Sequence, residues 1–209
     1  MNKQRWMIAG SLFLIISVFI AAAYQMNKDK KGPVLPVYGW DEKTMKTHTV
    51  GDFSLINQDG KTITQNDIAG HIYVANFFFA TCKGICPLMN SQLSRVYQAY
   101  KTNDKVLFLS HTVKPEEDSV PALKAYSKLF DADASRWWFL TGDKKQIYNL
   151  ARNDYLASIS EGNGGPDDFV HTQLLLLIDT QHRIRGFYDG LDSVQVTQLI
   201  GDVNRLLSE

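Results

Sequence analysis

The sequence predicts an α/β domain, with a mixed central sheet flanked by helices and opened by a β-hairpin, behind an N-terminal membrane anchor helix. Three observations carry that reading. Apolar strand-like runs alternate with segments of helical spacing from residue 72 onward. Asp59-Gly60, a strong hairpin signal, lies between two short alternating runs. Residues 6–24 contain no charged side chain.

Lys3 and Arg5 precede that apolar stretch, and only Gly10, Ser11 and Ser17 interrupt it. Its length falls between a signal-peptide core and the roughly 20 residues of a spanning helix. Ala21-Ala22-Ala23 offers a cleavage site, whereas Trp6 and Tyr24 at the edges match interfacial aromatic belts and favour an uncleaved anchor within residues 1–24. An N-terminal segment of this kind exports the chain behind it, which makes this a single-pass protein of the inner membrane with its domain in the periplasm. Residues 25–49, with Gly32, Pro33 and Pro36 in polar surroundings, read as a tether with few core-forming positions, and residues 50–209 as one domain.

Within that domain, residues 53–56 and 62–64 form the hairpin. Residues 72–79 are nearly unbroken apolar, as a central strand covered on both faces requires. A helix over 87–100 places Leu88, Leu93, Val96 and Tyr97 at helical spacing. Residues 106–110 form the next buried strand, and 119–130 the next helix, with Pro121 in its first turn. A strand at 137–140, a helix over 143–153 and a short strand at 155–160 come next, before a Gly-rich loop at 161–168. The strands 174–178 and 183–188 join through Asp179-Thr180-Gln181-His182, and an amphipathic helix over 192–207 closes the chain.

Of the 209 residues 44% are hydrophobic, enough for a full core. Basic and acidic side chains balance at 22 each, so the electrostatic footprint of a nucleic-acid binder is missing. The two cysteines are too few for a disulfide framework, and their pairing points to chemistry. Both lie in Phe77-Phe78-Phe79-Ala80-Thr81-Cys82-Lys83-Gly84-Ile85-Cys86-Pro87, where the central strand gives way to a helix. Pro87 suits the first helical position and disfavours helical backbone at Cys86, so Cys86 is expected near the N-cap, where the helix dipole favours a reactive thiolate.

In regular helix the Cβ atoms of such a pair lie about 5–6 Å apart, looser than the roughly 3.8 Å of a disulfide. Two thiolates at that separation can close on one soft metal ion, and Gly84 keeps the loop pliable enough for a disulfide as well. The spacing leaves three readings: metal when reduced and disulfide when oxidised, a plain stabilising disulfide, or two inert buried thiols. Phe77, Phe78 and Phe79 alternate across a strand and read as core. His48, His71 and His182 read as surface or satisfied residues, and His111, ending the strand beside the cysteine strand, as a reserve ligand. The 161–168 loop opens a strand, not a helix, and carries Glu161, Asp167 and Asp168, which argues against a phosphate cradle.

With Cys82-Lys83-Gly84-Ile85-Cys86-Pro87 between strand and helix, and Val170-His171-Thr172-Gln173 leading into residues 174–179, the sequence resembles the SCO/SenC family of thioredoxin-fold, membrane-anchored copper proteins over roughly residues 50–208. The resemblance puts the family's CxxxCP motif on Cys82, Cys86 and Pro87, its distal histidine on His171, and its Tyr-Asp-Gly element on Tyr188-Asp189-Gly190. It implies a thioredoxin-like fold and a copper site made by Cys82, Cys86 and His171, with the cysteines as the redox-active pair. The 161–168 loop would then let His171 approach them. It implies a metallochaperone that delivers copper to the CuA centre of cytochrome c oxidase, or keeps that centre's cysteines reduced. The partners implied are the copper-bearing oxidase subunit or another copper or thiol protein, and the membrane. Thiolates select Cu(I), and an imidazole makes the site acceptable to Cu(II).

One departure stands out: where the family commonly has Asp-Pro-Glu-Arg-Asp-Thr, this chain reads Lys114-Pro115-Glu116-Glu117-Asp118-Ser119. Asp118 is retained and the first acid is Lys114. The alternatives are a thiol–disulfide oxidoreductase, whose usual CxxC spacing and facing proline this chain lacks, and a copper or redox sensor. The Pro-x-x-x-Thr-x-x-Cys pattern of peroxiredoxins is absent.

Overall fold

The structure, a computed structural model, describes residues 16–20, 34–41, 45–158, 162, 165 and 168–209. Of the expected anchor only 16–20 is described, and it is helical; the rest lies outside the described residues, as do 25–33 and 42–44 of the expected tether and most of the 161–168 loop. Among the described residues no helix is long and apolar enough to cross a membrane. The chain divides into two units, Met1–Val34 with Ser208–Glu209, and Leu35–Leu207.

The second unit opens with β1 (Trp40–Asp41) and β2 (Lys46–Thr47), paired antiparallel within the segment expected as a tether. The expected hairpin comes next as β3 (Ser54–Ile56) and β4 (Thr62–Thr64), antiparallel, with Gly60 at φ +76° supplying the left-handed residue of the turn. Thr64 and Asp67 form a capping box that starts α1 (Gln65–Ile68).

The main sheet comprises β5 (Ile72–Phe78), β6 (Val106–Thr112), β7 (Trp137–Leu140), β8 (Leu174–Ile178) and β9 (Ile184–Asp189), in the order β7-β6-β5-β8-β9. β5, β6 and β7 run parallel, whereas β8 is antiparallel to both β5 and β9. Parallel neighbours need helical crossovers. These are α2 (Ile85–Tyr100) between β5 and β6, and α3 (Val120–Ser127), extended by a turn at Lys128–Phe130, between β6 and β7. α4 (Lys144–Asn149) runs on into a π turn, Leu150–Asp154. Asp192 caps α5 (Ser193–Leu206) by accepting the N–H groups of Val194 and Gln195.

β5 is buried along its whole length because both faces are covered. Tyr73, Ala75 and Phe77 join the core built with Leu55, Ile63, Ile68 and Ile147. Val74 and Phe78 join the one built with Met89, Leu93, Leu123 and Val196. Asn76 interrupts the apolar run and is satisfied where it lies. Its amide donates to Asn90 Oδ1 at 2.7 Å and accepts from Ser110 Oγ at 2.6 Å, while Asn90 donates to the Tyr126 hydroxyl at 3.1 Å. That chain of bonds locks α2 and α3 to the sheet beneath the cysteine turn.

Two expectations change. Residues 155–158 are not a strand: Ala157 N–H bonds back to Ala151 O at 2.8 Å, and Leu156 sits at φ +52°, outside strand backbone. Burial of Tyr155 and Ala157 about exposed Leu156 produces an alternation that imitates a strand. Leu35, Pro36 and Tyr38, within the segment expected as a tether, bond to β9. Buried Arg185 donates from Nη2 to Leu35 O at 2.8 Å and from Nε to Pro36 O at 3.0 Å, and Tyr38 N–H reaches Ile184 O at 2.9 Å. At the opposite margin of the sheet the Gln58 side chain donates to Trp137 O and accepts from Phe139 N–H, at 2.8 and 2.9 Å.

Candidate metal centre

Six residues, 79–84, carry the chain from β5 to α2, and the cysteines lie at the end of that turn. Gly84 is the N-cap, so Cys86 and Pro87 are the second and third helical residues. This corrects the expectation that Pro87 opens the helix and holds Cys86 outside it. The third helical N–H has no intrahelical partner anyway, so proline costs nothing there. Burial of Cys86, 5% exposed beside Met89 and Phe78, outweighs the preference against helical backbone before proline.

The roles of the two thiols reverse accordingly. Both are free, Cys82 half-buried and Cys86 buried, and each affects the other's titration. Burial pushes the Cys82 thiol up, but hydrogen bonding from Cys86 and from the N–H groups of Cys86, Gly84 and Ile85 outweighs it and leaves Cys82 below the ordinary thiol range. Cys82, not Cys86, is the sulfur that the helix N-terminus addresses. Burial, and next the Cys82 sulfur alongside, push Cys86 up to about 12. Of the pair, Cys82 at the mouth gives up its proton more readily and Cys86 behind it holds its own.

The turn is braced by the segment after β6. Asp118 is buried, and its Oδ2 accepts from Ala80 N–H at 3.0 Å and from the Thr112 hydroxyl. Glu117 accepts from the Thr81 hydroxyl at 3.3 Å and pairs with Lys114 Nζ at 3.1 Å. Lys114 Nζ also lies 4.9 Å from the Phe79 ring centroid, a cation–π contact. The departure at Lys114 thus sets a positive charge beside the cysteine turn. Apart from Asp118 and Lys114, which the family pattern singles out, nothing in the local sequence marks these partners, since each contact to the turn spans more than thirty residues.

Among the described residues no three His, Cys, Asp or Glu side chains gather closely enough to hold a metal ion. The structure brings Cys82 and Cys86 together and leaves His171 apart from them, exposed, with its ring 6.3 Å from that of Phe169. Phe169 in turn sets its edge against Phe79 at 5.7 Å, and Phe79 O receives the Cys82 N–H at 3.2 Å. His171 thus lies two aromatic contacts from the turn. Gly190, from the Tyr-Asp-Gly element, lets the exit of β9 close on α2, because a Cβ there would meet Met89 Cγ at 2.7 Å and Gln173 O at 2.8 Å.

Two of the remaining histidines are hydrogen-bonded elsewhere, whereas the buried Nδ1 of His182 has no partner among the described residues. His48 Nε2 bonds Asp154 O at 2.7 Å, His71 Nδ1 bonds Ala69 O at 3.0 Å, and His182 stands in the β8–β9 turn at φ +61°. His111, the reserve ligand, is buried on the core side of β6, stacked on Phe77 at 5.1 Å and close to Tyr155 at 5.3 Å. Burial lowers its pKa to about 4. An unfolded imidazole titrates near pH 6.5, so between about 6.5 and 4 the unfolded chain binds a proton that the folded chain refuses. Stability should therefore fall by about 3 kcal/mol as pH drops through that window, and no further from this group below it. Denaturant unfolding across pH 7 to 4 checks this, and His111→Phe should remove most of that slope.

A family model described as SCO1/SenC matches residues 41–208. The chain is 27% identical over 167 residues to the SCO1 protein homolog of Bacillus subtilis (strain 168), covering 79% of this chain and 86% of that one. In structure it is similar to BsSco, a member of the Sco family of cytochrome c oxidase assembly proteins in which a disulfide switch has been identified. That likeness has a TM-score of 0.66 at 26% identity and covers 77% of this chain and 94% of the other. It is also similar to Arabidopsis thaliana ScoI with copper bound, with a TM-score of 0.60 at 27% identity over 77% and 99% of the two chains. The mixed sheet with helices on both faces is thus the thioredoxin-like arrangement that the resemblance implied.

Proposed function

This chain belongs to the SCO1/SenC family, and from that premise we propose that it binds copper through Cys82, Cys86 and His171 and serves the assembly of the CuA site of cytochrome c oxidase. The observation that carries the proposal is the pair of free thiols at the N-terminus of α2, one partly exposed and one buried. Two sulfur donors suit a soft ion, and the copper-bound relative supports copper as that ion. As cargo, Cu(I) takes the Cys82 thiolate and displaces the proton from Cys86, so loading releases acid. His171, itself exposed to solvent, supplies the nitrogen that makes the site acceptable to Cu(II). Oxidation of the pair to a disulfide removes both sulfur ligands, and the disulfide switch of BsSco supports such a control here. Residues 6–24 anchor the chain, with the domain in the periplasm, a reading supported by their apolar run and aromatic flanks.

The same asymmetry of the thiols favours a second reading, reduction of a partner's disulfide, with Cys82 as attacker and Cys86 as resolver. Copper loading of the purified chain separates the two. Thiol counting should show tight binding by the dithiol and none by the disulfide. His171→Ala should weaken Cu(II) binding by about 100-fold, roughly 3 kcal/mol, and change the visible thiolate-to-copper absorption, with little effect on Cu(I). His71→Ala is the control, because the His48 bond to Asp154 O makes that residue structural. Wild-type Cu(II) behaviour in His171→Ala, together with steady turnover in a disulfide-reduction assay, would leave only the second reading.

A further inference from the structure

The π turn Leu150–Asp154 carries Arg152, whose guanidinium makes a two-point pair with Asp168: Nη1 to Oδ2 at 2.8 Å and Nη2 to Oδ1 at 2.5 Å. The two side chains are only 11% and 7% exposed, and Arg152 also lies over the Tyr148 ring at 5.4 Å. Gly162 backs onto the same carboxylate so closely that a Cβ there would collide with Asp168. Three residues separated in sequence, Arg152, Gly162 and Asp168, thus meet at one point. From that point the chain passes through Phe169, set edge-on against Phe79, and Val170, buried in the core, to His171.

We propose that Arg152, Asp168 and Gly162 form a clasp whose task is to position His171, by fixing the root of the arm that carries the imidazole beside the cysteine turn. The inference rests on the reading of His171 as a copper ligand. Three residues reach at most about 10 Å, so wherever Asp168 is held, His171 stays within that distance of it. A two-point guanidinium–carboxylate pair fixes direction as well as distance, which a lysine ammonium does not. If Arg152 is lost, the nearly buried Asp168 carboxylate has to swing toward water, taking the root of the arm with it. Helical turns of the π kind frequently accompany functional sites, and here the turn is what presents Arg152 to Asp168.

The test compares Arg152→Gln, Arg152→Lys, Gly162→Ala and His171→Ala in the full chain, each loaded separately with Cu(II) and, under reductant, with Cu(I). Arg152→Gln and Gly162→Ala should each weaken Cu(II) binding about 10-fold, at the lower end of what outer partners of metal ligands contribute. Both should shift the thiolate-to-copper band toward that of His171→Ala and leave Cu(I) affinity unchanged. Arg152→Lys, which keeps the charge without the fork, should fall between them and the wild type. A merely structural role would lower the thermal midpoint while leaving the ratio of Cu(II) to Cu(I) affinity at its wild-type value, and that result overturns the proposal. So does a wild-type Cu(II) band in Arg152→Gln and Gly162→Ala while His171→Ala loses it, although the ligand reading then stands. A wild-type band in His171→Ala as well overturns both. Should Arg152→Gln fail to fold, Gly162→Ala, which alters no charge, decides on the same measurement.

Discussion

Asp118→Ala is expected to destabilise the chain by about 4 kcal/mol, the sum of two bonds to a charged acceptor at roughly 1.5–3 kcal/mol each. The Ala80 N–H and the buried Thr112 hydroxyl both lose their acceptor, and the methyl group that replaces the carboxylate cannot accept from either. For a chain of this size each kcal/mol moves the thermal midpoint by about 2–4 °C, so calorimetry should show a drop on the order of 10 °C. Asp118→Asn keeps an oxygen that can accept from both partners but without the charge, and should cost about half as much. Because Ala80 lies in the turn that holds Cys82, the alanine variant should also lose Cu(I) affinity under conditions where it remains folded. A midpoint within a degree or two of wild type would mean that Thr112 and Ala80 find other partners, and the brace would have no energetic role.

Cys86→Ser should have the larger effect on the metal. Thiolate-rich sites yield about 10–16 kcal/mol over four ligands, or roughly 3 kcal/mol each, so losing one sulfur should weaken Cu(I) by about 100-fold or more. Cys82→Ser should do the same. The two variants part company in thiol chemistry. Cys82 alone, half-buried and favoured as thiolate, should react readily with an aromatic disulfide reagent, whereas Cys86 alone, buried and held protonated, should react far more slowly. Competition against a chromophoric Cu(I) chelator and stopped-flow thiol titration measure the two properties. Equal reaction rates would show that the difference between the sulfurs is lost once one of them is removed.

The sequence makes the sheet legible because burial on both faces leaves a nearly continuous apolar run in β5 and over residues 106–109 of β6, and Asp59-Gly60 marks the hairpin turn by backbone requirement alone. The cysteine turn is legible for the same reason: the pair stands where one pattern stops and the next begins. What sequence reading assigns wrongly there is the division of labour between the sulfurs. Pro87 is a local cue, whereas the burial of Cys86 in the core with Phe78 is a tertiary fact, and it draws Ile85 and Cys86 into the helix whose first N–H groups favour the Cys82 thiolate. Asp118 comes to notice through the family pattern, but its partners Ala80 and Thr112 do not. Tyr155 and Ala157 show the opposite failure, since a buried loop residue on either side of Leu156 copies a strand's alternation while the backbone turns left-handed. Arg152 and Asp168 carry no periodic signal at all, and their meeting is visible only in three dimensions.

The treatment of the sheet margins has a consequence for how many copies can coexist at high density. An unpaired strand edge is a template on which a neighbouring chain can add its own strand, the first step of fibril growth. On β7 the Gln58 amide imitates such a strand, taking the Trp137 carbonyl and the Phe139 N–H before a stranger can, and Ile56 pairs with Thr141 just beyond. On β9 the Tyr38 N–H takes the Ile184 carbonyl, and Arg185 draws residues 35 and 36 across its own side chain. The lead-in segment therefore also covers this edge, and a shortened chain that begins after Tyr38 should self-associate more readily than the full chain, as light scattering at rising concentration would show.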